Sequence, residues 1–207
     1  MPVLHVLRRK GKAYQPRGNK HAGLGCIKNQ VSIDERPKVV DEKTRVGDWE
    51  MDLVIRKGHS GAVAQWRSGA VVTIVERKTK FTVSMRINDK TVETVTAATI
   101  ALLTPFKDLV LTITADNGKE FAYHERIAKA LGAKVYFADP YSSWQRGLNE
   151  NTNGLLRQYW PKITDFKKIS QKEVSTVISE LNKRPRKILG YETPAKLMAE
   201  HMALLRA

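Results

Sequence analysis

A chain of 207 residues with 42% hydrophobic content holds one globular domain and its core, with room for a short appendage. Its 36 Lys and Arg against 21 Asp and Glu give a formal +15, a field that concentrates polyanions and speeds their encounter. The single cysteine, Cys26, excludes an internal disulfide framework and a multi-cysteine zinc site, and no apolar run approaches the roughly 18 residues that span a bilayer.

Residues 1–46 read as a basic N-terminal arm or solvated linker. Up to Asn29 they carry Arg8, Arg9, Lys10, Lys12, Arg17, Lys20 and Lys28 and no acid, without sustained periodicity. From Gly47 the pattern turns regular, and 47–200 is the expected core domain. Residues 48–56 alternate, with Trp49, Met51, Leu53 and Ile55 on one face and Asp48, Glu50 and Asp52 on the other. Runs 69–76 and 80–87 are β-branched and joined by Arg77-Lys78-Thr79, a hairpin signal. Spacing predicts a helix over 91–103, a strand over 109–115 and a helix over 119–131 that ends at Gly132. A short strand follows over 134–138, then a helix over 145–159 whose sheet-facing side is Leu148, Thr152, Leu155 and Tyr159. Ser170-Gln171-Lys172-Glu173 has the form of a capping box opening another helix, in which Ser170 caps and Glu173 reaches back. The order β-β-β-α-β-α-β-α-α predicts an α/β fold, a ribonuclease-H-like mixed five-stranded sheet flanked by helices. Ser60-Gly61-Ala62-Val63 recurs as Ser68-Gly69-Ala70-Val71, a short duplication with no function attached.

The charge selects nucleic acid over an anionic membrane, since no basic amphipathic helix or lipidation signal is present. The opening residues lack a secretory pattern, so a cytoplasmic protein is expected. Phosphodiester chemistry needs an activated oxygen, in-line geometry and neutralised charge, which a pair of divalent cations about 3.5–4 Å apart supplies. Mg²⁺ wants hard oxygen ligands, so carboxylates on the functional edge of the sheet are the place to look. Asp52 lies within the first strand, opposite its apolar side. Asp116 follows directly on a strand, at the exit where α/β sheets build sites, and Asn117-Gly118 turns the chain there. Glu150 sits on the 145–159 helix with Arg146, Asn153, Gly154 and Arg157 on its face. Spacing alone is weak evidence: about two acid pairs at any chosen separation arise by chance in such a composition. Asp48 and Glu50 share the face of Asp52 and could be the ligand instead.

The text around these acids breaks the tie. Gly47-Asp48-Trp49-Glu50-Met51-Asp52 and Thr114-Ala115-Asp116-Asn117-Gly118-Lys119-Glu120-Phe121 resemble insertion-sequence transposases of the thirty family, which are DDE enzymes. So do the stretch from Tyr136 through Trp144-Gln145-Arg146-Gly147 to Gly154 and the run Leu181-Asn182-Lys183-Arg184-Pro185-Arg186-Lys187 with Leu189-Gly190-Tyr191-Glu192-Thr193-Pro194. The likeness extends over about Val31 to Met198. It implies a retroviral-integrase-like core with Asp52, Asp116 and Glu150 as the catalytic, metal-binding triad for two Mg²⁺ or Mn²⁺ ions. It also implies a basic residue facing DNA at Arg157. Met51 departs from the small residue expected beside the first aspartate, and the family's N-terminal helix-turn-helix region is expected to be lacking.

Further DNA contacts are expected at Arg146, Asn153, Lys183, Arg184, Arg186 and Lys187, with a salt-sensitive phosphate term. Trp144 and Tyr141 could stack on splayed bases or pack on the neighbouring strand. His59 and His124 could be ligands or structural residues. The expected activity is cleavage of element ends and strand transfer into target DNA, by a homo-oligomer on DNA. The alternatives are a nuclease on the same scaffold and a truncated, non-catalytic DNA-binding regulator.

Overall fold

The computed structural model of the protein describes residues 27–56, 69–140 and 142–205; the first part of the basic arm, Cys26, His59, most of the duplicated motif and Tyr141 lie outside them. Five strands form one mixed sheet: β1 (Asp48–Ile55), β2 (Ala70–Glu76), β3 (Thr82–Ile87), β4 (Thr112–Ala115) and β5 (Lys134–Phe137), in the order β3-β2-β1-β4-β5. The first three strands are antiparallel neighbours, and β4 and β5 run parallel to β1. The helices are α1 (Val39–Glu42), α2 (Val92–Leu103), α3 (His124–Leu131), α4 (Gly147–Tyr159), α5 (Gln171–Lys183) and α6 (Pro194–Leu204).

The alternation of β1 separates two cores, because successive side chains leave a strand on opposite faces. Trp49 and Met51 join Val72, Ile74, Val95, Ile113, Phe121, Ile127, Phe137 and Met198 on one side. Met51, the departure from the small residue expected there, is fully buried in this core. Val54 and Val71 join Leu156, Trp160, Phe166, Val174, Val177 and Leu181 on the other, under α4 and α5. Local signals set the helix ends. The Thr91 hydroxyl accepts the Thr94 N–H at the start of α2, and Gly132 adopts φ +70°, the left-handed turn that ends α3. Ser170 caps α5 through the Glu173 N–H. Glu173 does not close the expected reciprocal bond; its carboxylate accepts the Trp160 indole N–H at 3.5 Å.

Several boundaries differ from the sequence reading. Residues 104–109 form a 3-10 turn around Pro105, so the strand expected from 109 begins at Thr112 and leaves Leu111 exposed against Gly47. The hairpin connection is five residues, 77–81, gathered by the Glu76 carboxylate, which accepts the Lys78 and Thr79 N–H groups and the Thr79 hydroxyl. Helix α6 was not anticipated, although Thr193 as cap followed by Pro194 is a start signal.

Residues 27–46, read as part of the arm, pack on the sheet. Ile27, Ile33 and Val40 are buried, and Ser32 bridges Phe137. Ions tie the segment down. The Arg36 guanidinium donates to the Thr114 hydroxyl at 2.8 Å and pairs with Asp41, while Arg77 donates to the Val40 carbonyl at 3.0 Å and reaches Asp41 at 3.5 Å. Charged residues carried this segment into the fold without the hydrophobic periodicity that marks an element.

Candidate active site

Asp48, Glu50 and Asp52 leave β1 on the same face, and the structure gives each a different neighbour. Asp48 is fully buried, accepting a two-pronged contact from Arg45 at 2.8 and 2.9 Å and the Thr112 hydroxyl at 2.7 Å. Glu50, equally buried, pairs with Arg77 through one oxygen and accepts the Asn149 backbone N–H at 3.0 Å through the other. Asn149 lies in the first turn of α4, whose N–H groups lack intrahelical partners and carry the positive end of the helix dipole. Glu50 therefore anchors the N-terminus of the helix that carries Glu150. Both acids are fully engaged by protein groups, which sets them apart from Asp52.

Asp52 keeps an open side. One oxygen accepts the Leu53 N–H at 2.8 Å, and the other accepts the Asn153 amide at 2.9 Å. Asn153 is itself held by the Thr73 hydroxyl at 3.2 Å. In the parallel ladder Glu50 pairs with Thr114, so the register carried two residues further sets Asp52 level with Asp116. One guanidinium confirms the juxtaposition: Arg146 lies 3.4 Å from Asp52 and 3.2 Å from Asp116. Burial pushes the Asp52 carboxyl above its ordinary pKa; the Arg146 charge opposes this and the Asp116 charge adds to it.

The turn after β4 is built for close approach. Gly118 has an ordinary φ of −65°, so its lack of a side chain matters for space rather than for backbone freedom. Its N–H donates to Asp116 Oδ1 at 3.0 Å, and a Cβ there would meet that oxygen at 2.9 Å and the Glu120 carboxyl carbon at 2.7 Å. Asn117 locks the turn by donating to the Ala138 carbonyl.

Glu150 is exposed on α4, between Arg146 and Asn153, both of which touch Asp52. Among the described residues no three His, Cys, Asp or Glu side chains already converge as a metal centre. The structure thus brings Asp52 and Asp116 together, while Glu150 is exposed on the helix that also carries Asn153 to Asp52. The buried side of α4 is Asn149, Thr152 and Leu156, with Tyr159 exposed, rather than the expected Leu148, Thr152, Leu155 and Tyr159. Docking the first turn of α4 on Glu50 turns the helix by about one residue.

Other expected DNA contacts are distributed differently. Arg146 and Asn153 face the aspartates. Arg157 is half-buried, donating to the Ile55 carbonyl at 2.5 Å and to that of Pro161 at 3.5 Å, and burial lowers its pKa. Lys183, Arg184 and Lys187 are exposed at the end of α5, beside the edge strand β3. Arg186 turns inward to the Leu181 carbonyl at 3.4 Å. Trp144 is 71% exposed, so it does not pack on the neighbouring strand. His124 is structural: buried edge-on against Phe137, with a ring nitrogen 2.9 Å from the Lys28 carbonyl. Glu50, Thr73 and Gly118, which support the site, carried no signal of that role except the Asn117-Gly118 turn.

Fold and sequence converge on one class. Residues 44–143 match the integrase core domain family. The catalytic core domain of BIV integrase shares the fold with a TM-score of 0.54 and 23% identity, over 77% of this chain and 99% of that one. A chain of the simian T-cell lymphotropic virus intasome, solved in complex with PP2A regulatory subunit B56 gamma, gives 0.57 at 17% identity, over 73% of this chain and 53% of that one. The domain has the ribonuclease-H-like fold of these integrase cores.

Sequence relatives narrow this further. The transposase for insertion sequence element IS4351 of Bacteroides fragilis is 48% identical over 188 residues, 91% of this chain and 55% of that protein. Transposase InsI for element IS30C of Escherichia coli (strain K12) is 38% identical over 201 residues, 97% of this chain and 49% of that one. The chain is similar to these insertion-sequence transposases over nearly its whole length, and it spans about half the length of these curated relatives. No helix among the described residues is long and apolar enough to cross a membrane.

Proposed function

We propose that the chain is the catalytic domain of a DNA transposase, which cuts element ends and joins them to target DNA. The observation that carries this is the meeting of Asp52 and Asp116 on one guanidinium, at the edge of the parallel pair β1 and β4 beside the start of α4. Two acids held that close, one of them largely desolvated, present hard oxygen donors suited to divalent cations. Mg²⁺ or Mn²⁺, two ions in the full site, would be held by Asp52, Asp116 and Glu150. Bound there, the cations would supply charge neutralisation on the phosphate and activation of the attacking oxygen.

The residues of the chain do the positioning. Asn153 fixes the plane of the Asp52 carboxylate, and Thr73 fixes Asn153. Glu50 holds the first turn of α4, and so the place of Glu150 along the sheet edge. The exposed Lys183, Arg184 and Lys187 draw DNA phosphates to the surface. Hydrolysis frees a 3′-hydroxyl at the element end. That oxygen then attacks a target phosphodiester, forming one P–O bond as another breaks, so the joining step needs no external energy source. The rate enhancement comes mainly from orientation and fixed charge. A multimer bridging two DNA ends is the working form we propose.

The test is an assay of cutting and joining on end-labelled DNA with Mg²⁺ or Mn²⁺. Glu150→Gln should lose both reactions, because a neutral amide is a far poorer cation ligand. Wild-type activity in that variant would refute the assignment, and products that are only hydrolysed would favour a nuclease on the same scaffold.

A further inference from the structure

The lone pairs of Asp52 and Asp116 are not all free to point at a cation. Asp52 accepts the Leu53 N–H and the Asn153 amide, and Asp116 accepts the Gly118 N–H. Both carboxylates also share the guanidinium of Arg146, which is itself mostly buried. Its grip is loose. The contacts to the two acids, 3.4 and 3.2 Å, and to the Met51 carbonyl, 3.4 Å, all exceed the 2.7–2.9 Å usual for charge-assisted bonds. Arg146 also stands just before α4, on a 3-10 turn without a side-chain cap, followed directly by Gly147. Such a position lets the side chain swing without disturbing the helix. A guanidinium and a divalent cation meet the same electrostatic need between two carboxylates, yet they use the same oxygens at different distances. A cation ligated at about 2.0–2.1 Å leaves no room for the N–H groups.

We propose that Arg146 is a resident counter-cation: it neutralises Asp52 and Asp116 in the ion-free protein and is displaced when a divalent cation enters. Arg146 thereby sets the cation concentration at which the site loads, and it keeps two neighbouring carboxylates from repelling each other before loading. This rests on the reading of Asp52 and Asp116 as cation ligands. It assigns Arg146 a positioning role that its basic character alone, read as a DNA contact, did not suggest.

Mn²⁺ titration of the whole chain, followed by the electron paramagnetic resonance signal of free Mn²⁺, tests the idea without reference to activity. Arg146→Gln should tighten apparent affinity about tenfold, the scale of one partly buried charged contact. Lys119→Gln removes a positive charge three residues beyond Asp116 from an exposed side chain, and should change affinity less than about twofold, since surface charge is screened. Without ions, Arg146→Gln should melt below wild type, and Mn²⁺ should raise its melting temperature more than it raises that of wild type. If Arg146→Gln does not fold without ions, Arg146→Lys, whose single ammonium cannot span both acids, should show intermediate tightening. Wild-type or weaker affinity in the Arg146 variants, with binding abolished by Asp52→Asn, would overturn the counter-cation role and leave the site intact. Equal tightening by Lys119→Gln would also overturn it, reducing the effect to net charge. Undiminished binding in Asp52→Asn would instead remove the site itself.

Discussion

Two ion clusters sit on the same face of β1, two to four residues apart, and they are built oppositely. Asp48 and Glu50 are sealed between Arg45, Arg77, the first turn of α4 and the 27–46 segment, with almost no exposure. Asp52 and Asp116 share one loosely held arginine, and their side chains keep 21% and 39% exposure. The same residue types thus serve two purposes, decided by how their counter-charge is mounted. A guanidinium locked in a hairpin turn makes a structural pair, because breaking it strands a buried charge. A guanidinium on the loop before a helix makes a site that can exchange its cation. The sealed cluster also supports the open one, since Glu50 fixes the start of the helix that brings Asn153 to Asp52.

The contrast breaks most visibly in activity. Asp52→Asn and Asp116→Asn should lower cutting and joining on the order of 10³-fold or more, from lost charge stabilisation at the reacting phosphate. Asp52→Asn should leave the melting temperature unchanged or raised, because burial already disfavours the ionised form of Asp52. An activity within tenfold of wild type, or a collapse of stability, would place Asp52 with the structural acids.

Next in size is the sealed cluster. Arg77→Ala leaves Glu50 buried without its counter-charge and should cost about 3–5 kcal/mol, read as a lower urea midpoint. A loss below about 1 kcal/mol, the scale of an exposed pair, would mean that the cluster is solvated in practice.

The smallest effect lies at the hairpin beside that cluster. Burial, aided by the Lys43 charge, lowers the Lys80 pKa to about 8. An unfolded lysine titrates near 10.4, so between these values the unfolded chain binds more protons and stability rises with pH. Below pH 8 the turn holds an ionised lysine and that gain is absent. Lys80→Met should therefore flatten the rise in urea midpoint from pH 7.5 to 9.5 relative to wild type. Parallel curves for the two proteins would show that the ammonium is solvated.

How much of this could be read in the sequence follows from the reach of each interaction. The alternation of β1 gave the core on the side of Trp49 and Met51, and Gly132 and Ser170 marked helix ends, because those signals act within a few residues; the second core, under α4 and α5, was not read from it. The pairing of Asp52 with Asp116 was legible through the strand pattern and the family resemblance together. The separate fates of Asp48 and Glu50 were not, since Glu50 is bound to Asn149, 99 residues away. Nor was the turning of Arg146 and Asn153 toward the acids; a polar stripe on a helix does not say which polar surface it meets. Segment 27–46 was missed for a related reason, being fastened largely by arginines rather than by a periodic apolar face.

The central claim is that a divalent cation settles between Asp52 and Asp116. Anomalous diffraction from crystals of the protein soaked in Mn²⁺ measures that position directly. The peak should lie between the carboxylates of Asp52 and Asp116, with the Arg146 side chain withdrawn from both. Density against Asp48 or Glu50, or a peak at neither pair while Arg146 stays in place, would contradict it.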